Sequence, residues 1–481
     1  MSLNLAQYLD IAAQSNPNST AVILDDFRMT YTELLDVVKR VANALRQRGI
    51  GRGDKVAMMI PNTPYFSAVY YGILNVGATV VPVNILPFQM VETCHHFVVV
   101  SRPDDHTAPR AGENFLQFIG AADSVFDPVQ TMPDDTAVIL YTSGTTGHPK
   151  GAELTHCNMF FNAYYVMKYI VHAKPGDVGL VILPLFHSFG QTCLQNATLM
   201  AGATMTMLPS FDTHKAMHVV QRDRVTMMAA VPTMYFFMLN IPDYQDYDFS
   251  SVRMAVSGGS ALPVEVLNKF EERYGVRILE GYGLSETSPV ASFNILDRPS
   301  KAGSIGIPIW GCDMRVMRDD GSIAEVGEVG EIVLRGHNLM KGYYKKPTAT
   351  EEAIVDGWFH TGDMAHVDNE GYFFIVDRKK DLIIRGGMNI YPREIEEVLY
   401  AHPAVLEAAV VGIPDEARGE EVKAYLSPRD GHEIDANEVI EYCQDRLARF
   451  KCPKEVEVLP SLPKGPTGKI LKRELRDRAR A

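Results

Sequence analysis

The chain has 481 residues, 46% of them hydrophobic and 22% charged, the balance of a globular protein long enough for two or more domains with cores of their own. Its 59 acidic side chains outnumber 46 basic ones, and the net charge of -13 argues against nonspecific binding of nucleic acid or of an anionic membrane across the whole surface. Six scattered cysteines form no CxxC pair, which speaks against a zinc site or a disulfide framework.

No basic residue precedes Arg28, so the charged region of a secretion signal is missing and the expected location is the cytoplasm. Leu3 to Leu9 reads as the start of an amphipathic helix. From there to about Phe211, apolar runs such as KVAMMIPN, GATVVPVN and AVILYTS alternate with helical patterns, the rhythm of a layered α/β domain.

The run DTAVILY, Asp135 to Tyr141, is short and apolar enough to be a buried strand, and ILYTSGTTGHPKGAELTH follows from it. Gly144 and Gly147 let backbone N–H groups turn toward a ligand. Thr142, Ser143, Thr145 and Thr146 add hydroxyl donors and Lys150 a mobile positive charge, together a cradle for a triphosphate. The Walker loop of kinases and GTPases needs adjacent Gly and Lys, whereas His148 and Pro149 separate Gly147 from Lys150 here. A Ser/Thr/Gly run is otherwise a surface turn, but one that leaves a buried strand directly and carries a lysine is unusual.

Further on, LPLFHSFGQT sets His187 between phenylalanines, where it reads either as a hydrogen-bonded core residue or as part of a site. Met227 to Leu239, the longest apolar stretch, is too short to span a membrane and contains Pro232. The methionines around it read as core filling, or as a plastic wall around an apolar ligand. RVTMMAAVP, VRMAVSGG and VRILEGYG end in Pro or Gly, with helices such as Val264 to Tyr274 between them. EGYGLSET then offers an aromatic plane at Tyr282, a hydroxyl at Ser285 and a carboxylate at Glu286, suited to a purine face, a phosphate and a divalent cation.

From Gly303 to Val376 the segments shorten and glycines crowd in, the mark of a small β-rich subdomain. Within it WFHTGD ends in Asp363, a carboxylate able to accept both ribose hydroxyls. VDRKKDLIIRGGMNIYPREIE places Arg378 and Lys380 at a tight turn between strands. After Lys380 the pattern becomes a separate α+β domain of about a hundred residues. Pro392 opens a helix with Ile395, Val398 and Leu399 on one face, AAVVGI is a strand, and Asp435 with Glu438 forms a capping box. LPKGPTGKI presents Lys469 in a Gly/Pro loop. Taken singly, Glu286 and Asp363 would be solvated surface acids and Lys469 a tail lysine; their joint occurrence overturns that reading.

In this order the segments resemble the adenylate-forming superfamily of acyl-CoA synthetases, aryl-CoA ligases, luciferase and peptide-synthetase adenylation domains, from MTYTELLDVVKRVANAL to Lys469. The resemblance implies a large N-terminal domain, 1–379, of two layered α/β subdomains and a small β-barrel-like one, followed by a small mobile α+β domain, 380–481. It makes Thr142 to Gly151 the phosphate loop, with Gly259, Glu280, Gly281, Tyr282 and Gly283 bordering adenine and acyl sites and Ser285 touching phosphate. Glu286 with Thr142 is the implied magnesium site, Asp363 and Arg378 the ribose site, and Lys380 the hinge. Lys469 falls on the catalytic lysine, and Gly386–Gly387 on the region that meets CoA after the small domain turns. His187 lies at the mouth of the acyl pocket.

The implied reaction joins a carboxylic acid to ATP, with release of pyrophosphate, and passes the acyl group to CoA with release of AMP. Adenylation domains for α-amino acids carry an Asp where this chain has His187, so no partner for a substrate ammonium is expected. The pattern is closest to fatty-acyl-CoA ligases and favours a medium or long alkyl chain, with an aryl acid as the nearest rival. A carrier-protein or amine acceptor stays open, as does an inactive nucleotide-binding relative, against which the retention of Lys469, Glu286, Asp363 and Arg378 counts. The expected partners are small molecules, with no nucleic acid and no transmembrane segment; peripheral membrane contact and a monomer or homodimer are left open. Members of the superfamily usually carry a helix and a strand after VPVN, yet VPVNILPFQM runs almost directly into VETCHHFVVVSRPDD. Roughly two dozen residues, about one such unit, are missing near Met90, and an incomplete N-terminal layer is expected.

Overall fold

The computed structural model describes residues 3–84, 96–103, 112–142, 149–429, 431–465 and 468–480. The widest sheet has nine strands, and its six middle ones, from Ile278–Gly283 through Met254–Ser257, Met227–Ala230, Val178–Val181 and Thr204–Met207 to Thr20–Leu24, are all parallel. Met227–Ala230 and Met254–Ser257 are buried along their whole length, as parallel strands covered on both faces must be. The methionines of this region, Met205, Met207, Met227, Met228 and Met238, are core residues.

A second, five-stranded sheet runs Gly342–Tyr343, Lys150–Thr155, Thr136–Thr142, Thr79–Pro82, Lys55–Met58. Thr142 pairs with Lys150 where strands Thr136–Thr142 and Lys150–Thr155 run antiparallel, so the two described ends of the phosphate-loop segment are fixed side by side. The expected small β-rich subdomain is a five-stranded antiparallel sheet built around Gly330–Gly336 and Trp358–Val367.

Beyond the short turn Lys379–Asp381, the last part of the chain forms its own antiparallel sheet, with Glu455–Val458 added in parallel to Gly419–Pro428. Helices Pro392–Tyr400 and Ala436–Gln444 cover it, and Ile395, Leu399, Val410, Val422 and Val439 form a core separate from that of the large lobe. The result is the bilobal architecture expected of the sequence.

Local details differ from the sequence reading. The first helix begins at Gln7, because the Asn4 side chain is tied to Leu74 O and Val129 O and holds the preceding residues against the next layer. Asp435 caps its helix from Asn437 N and Glu438 N, without the reciprocal bond of a full capping box. Two π-helical segments, Val166–Ile170 and Gly190–Asn196, interrupt helices that periodicity alone would continue, and the second directly follows His187–Phe189. The expected gap near Met90 lies outside the described residues. Among those described, no helix is long and apolar enough to cross a membrane.

Candidate active site

Parallel strands Met254–Ser257 and Ile278–Gly283 end at glycines, and the carboxyl ends of such strands are where open α/β sheets receive ligands. A Cβ on Gly281 would strike the Phe293 ring, and one on Gly283 would lie 1.8 Å from Pro289 O, so bare backbone forms the floor here. Above it lies a cavity of about 530 Å³. The large lobe supplies Thr142, Lys150, His187, Gly259, Gly281, Tyr282, Gly283, Ser285, Glu286 and Arg378; Lys380 and Lys469 enter from the hinge and the small lobe.

Asp363 and Arg378 stand opposite each other in neighbouring strands, and Arg378 Nε lies 3.1 Å from Asp363 Oδ1. The Tyr282 hydroxyl donates to Asp363 Oδ2 at 2.6 Å. Asp363 is thus buried just behind the cavity wall with an arginine on one oxygen and a phenol on the other. Glu331, which no sequence signal singled out, accepts from Gly362 N at 2.9 Å and fixes the turn that presents Asp363.

Lys469 is an exposed residue by surface area, and it lines the cavity among Arg378, Lys380 and Tyr282. Desolvation brings its ammonium down to about 8; Arg378 and Lys380 push the same way, against Asp363 and Asp381. Burial, then the charge of Lys469, lowers His187 to about 4. His187 is therefore neutral near pH 7. Its Nδ1 accepts from Phe189 N at 3.3 Å, which leaves the ring proton on Nε2 as a donor.

At the other end Glu286, 8% exposed, accepts from the Tyr343 hydroxyl at 2.9 Å. Burial raises its pKa, opposed by hydrogen bonds and by Arg378 and Lys150. Lys150 Nζ lies 5.1 Å from the Tyr343 ring centre. The described residues contain no cluster of three or more His, Cys, Asp or Glu side chains placed to enclose a metal. Glu286 and Thr142 line the same cavity, and a buried carboxylate with a hydroxyl in one cavity fits Mg²⁺ instead, which binds through one or two carboxylates and completes its shell with water and phosphate oxygens.

Not every anticipated residue meets this cavity. The Glu280 side chain turns away to accept from Leu262 N at 3.0 Å, and burial pushes its carboxyl up to about 7. Gly386 and Gly387 form the turn between Ile383–Arg385 and Met388–Ile390 and line neither this cavity nor the adjoining one. Ser143, Gly144, Thr145, Thr146 and Gly147 lie outside the described residues. The adjoining cavity, about 390 Å³, shares Pro184 and Val231 with the first and is walled by Ile182, Phe186, Phe211, Met234 and Phe237.

Residues 9–344 match the AMP-binding enzyme family, and residues 394–469 match the AMP-binding enzyme C-terminal domain. The chain is 39% identical to a feruloyl-CoA synthase of Amycolatopsis sp over 97% of either chain. It is 36% identical to a long-chain-fatty-acid–CoA ligase of Bacillus subtilis, over 98% of this chain and 94% of the other. Among solved structures, an anthranilate CoA ligase in complex with anthranoyl-AMP superposes with a TM-score of 0.92 at 25% identity, over 99% of this chain and 97% of that one.

Proposed function

The chain belongs to the AMP-binding enzyme family, the acyl-adenylate-forming ligases that use ATP to activate a carboxylic acid, and on that premise we propose that it is a magnesium-dependent carboxylate–CoA ligase acting on a compact aryl acid. The observation that carries the reading is the convergence of Lys469, from the small lobe, on the cavity that Glu286, Arg378 and Tyr282 border from the large one, with Asp363 holding Tyr282 and Arg378 from behind.

In the first half-reaction the carboxylate oxygen attacks the α-phosphorus of ATP, the bond to the β-phosphate breaks, and pyrophosphate leaves. Negative charge gathers on the phosphates, and Lys469 is the mobile cation aimed at it. Mg²⁺, held by Glu286 with Thr142, would neutralise the phosphate oxygens further. Asp363 holds the ribose and, through its ion pair, Arg378. Neutral His187 offers the acid a hydrogen bond from Nε2 without adding a second charge beside Lys469. In the second half-reaction a thiol sulfur attacks the acyl carbon and AMP departs. Lys469 must then make room, and a turn of residues 380–481 about Lys380 would exchange it for Gly386–Gly387.

The acid end of the cavity is walled by Phe189, Val231, Val290 and Phe293. At about 530 Å³, nucleotide and acid share a volume typical of one drug-sized ligand, which favours a short, flat acid over a long chain. The likeness to proteins acting on ferulate and anthranilate supports the same choice. The alkyl acid favoured by the sequence is the second reading, supported by the adjoining apolar cavity and by the likeness to a long-chain-fatty-acid ligase. Pyrophosphate release across matched aryl and alkyl acids tests the choice, and mass spectrometry of the product with CoA or amines supplied identifies the acceptor. Saturation by alkyl acids alone would reverse the order; product with amines alone would remove CoA.

A further inference from the structure

The segment Met340–Lys346 belongs to no motif singled out in the sequence, yet it straps the exit of the phosphate hairpin to Glu286. Gly342 and Tyr343 pair antiparallel with Glu153 and Ala152. Lys341 N donates to Glu153 O at 2.8 Å, Tyr344 N to Gly151 O at 2.7 Å, and Met340 N to Glu286 O at 2.8 Å. Lys346 Nζ reaches Pro149 O at 3.2 Å.

From this strap the Tyr343 side chain turns into the cavity. Its hydroxyl donates to Glu286 Oε1, and its ring faces the Lys150 ammonium. One side chain therefore touches both the carboxylate suited to the cation and the lysine suited to the phosphates. A hydrogen bond to one carboxylate oxygen fixes the rotation of the group and so the direction in which it meets a metal. The ring beneath the ammonium restricts a long, flexible lysine to the phosphate side.

We infer that Tyr343 is a positioning residue that sets, through Glu286 and Lys150, how tightly the site takes a divalent cation together with nucleotide phosphates; this rests on the adenylate-forming reading above. Tyr343→Phe keeps the ring and removes the donor. The half-saturating Mg²⁺ concentration for pyrophosphate release should rise about 10-fold, within the range for losing a partner of a metal-binding carboxylate, while half-saturation by the acid and the melting temperature stay at parental values.

Calorimetric binding of ATP separates this from a structural role. Without Mg²⁺ the Phe variant should bind ATP as the parent does, and with Mg²⁺ it should bind about 10-fold more weakly. Tyr343→Ala, which also frees Lys150, should lose affinity for metal-free ATP as well. Glu286→Gln added to Tyr343→Phe should cost less magnesium dependence than it does in the parent, since both changes break the same contact. Parental magnesium dependence in Tyr343→Phe, or equal loss of ATP binding with and without Mg²⁺, overturns the inference while the adenylate-forming reading stands. A parent protein that releases no pyrophosphate with any acid removes that reading, and the inference with it.

Discussion

The Tyr282 hydroxyl donates to Asp363 Oδ2 at 2.6 Å while Arg378 Nε lies 3.1 Å from Oδ1, so the carboxylate assigned to the ribose is oriented before any nucleotide arrives. A carboxylate held on both oxygens is a rigid acceptor, and its partners, at the ends of strands Ile278–Gly283 and Phe373–Arg378, both line the cavity. Asp363→Asn keeps the shape and removes the charge. ATP binding should weaken by about 10- to 100-fold, the range for one or two hydrogen bonds to a charged group, with acid preference unchanged. Titration of ATP and AMP against the variant checks this; unaltered affinity for both would move the ribose elsewhere.

Lys469→Ala should reduce formation of the acyl-adenylate by about two to four orders of magnitude, the scale for removing a preorganised charge from a transition state. Supplied with chemically prepared acyl-adenylate and CoA, the same variant should form thioester at close to the parental rate. Lys380→Pro, which stiffens the turn between the lobes, should hinder the second step more than the first. Equal loss of both steps in a folded Lys469→Ala protein would leave Lys469 as a static nucleotide contact.

The pH profile should carry the same lysine. Desolvation and the neighbouring Arg378 put its ammonium at about 8, so the charge is present below that pH and lost above it. The value of kcat/KM for adenylation, which reports the free enzyme, should fall as pH rises through about 8. Bound triphosphate favours the ammonium, and the corresponding fall in kcat should come at higher pH. Lys469→Arg, permanently charged, should abolish that limb; its survival would assign it to another group.

His187→Ala should change the rate or the choice among acids and leave the apparent affinity for ATP within about 2-fold, because a neutral donor at the acid end loses one uncharged hydrogen bond. Steady-state constants for a pair of acids and for ATP test this. A change confined to ATP would place His187 at the nucleotide.

The order of the motifs along the chain was legible because each is a local signal: glycines where backbone must approach a ligand, apolar runs of strand length, a proline opening the helix at Pro392. Such signals depend on neighbours a few residues apart, and they were enough for the layered α/β lobe, the β-rich insert and the α+β last part of the chain, while the roles of the candidate residues came from the order of the motifs and the resemblance it carries. The contacts that give those residues their properties are set by distant pairing. Tyr343 meets Glu286 across 57 residues because a two-residue strand folds back on Lys150–Thr155. Asp363 meets Arg378 through strand register. Glu280, inside the most suggestive motif, turns away because Leu262 N claims its carboxyl. Desolvation, which lowers the pKa of Lys469 and that of His187, and the volume of the cavity are properties of the assembly of all these segments. No single segment encodes them, and only the tertiary structure decided them.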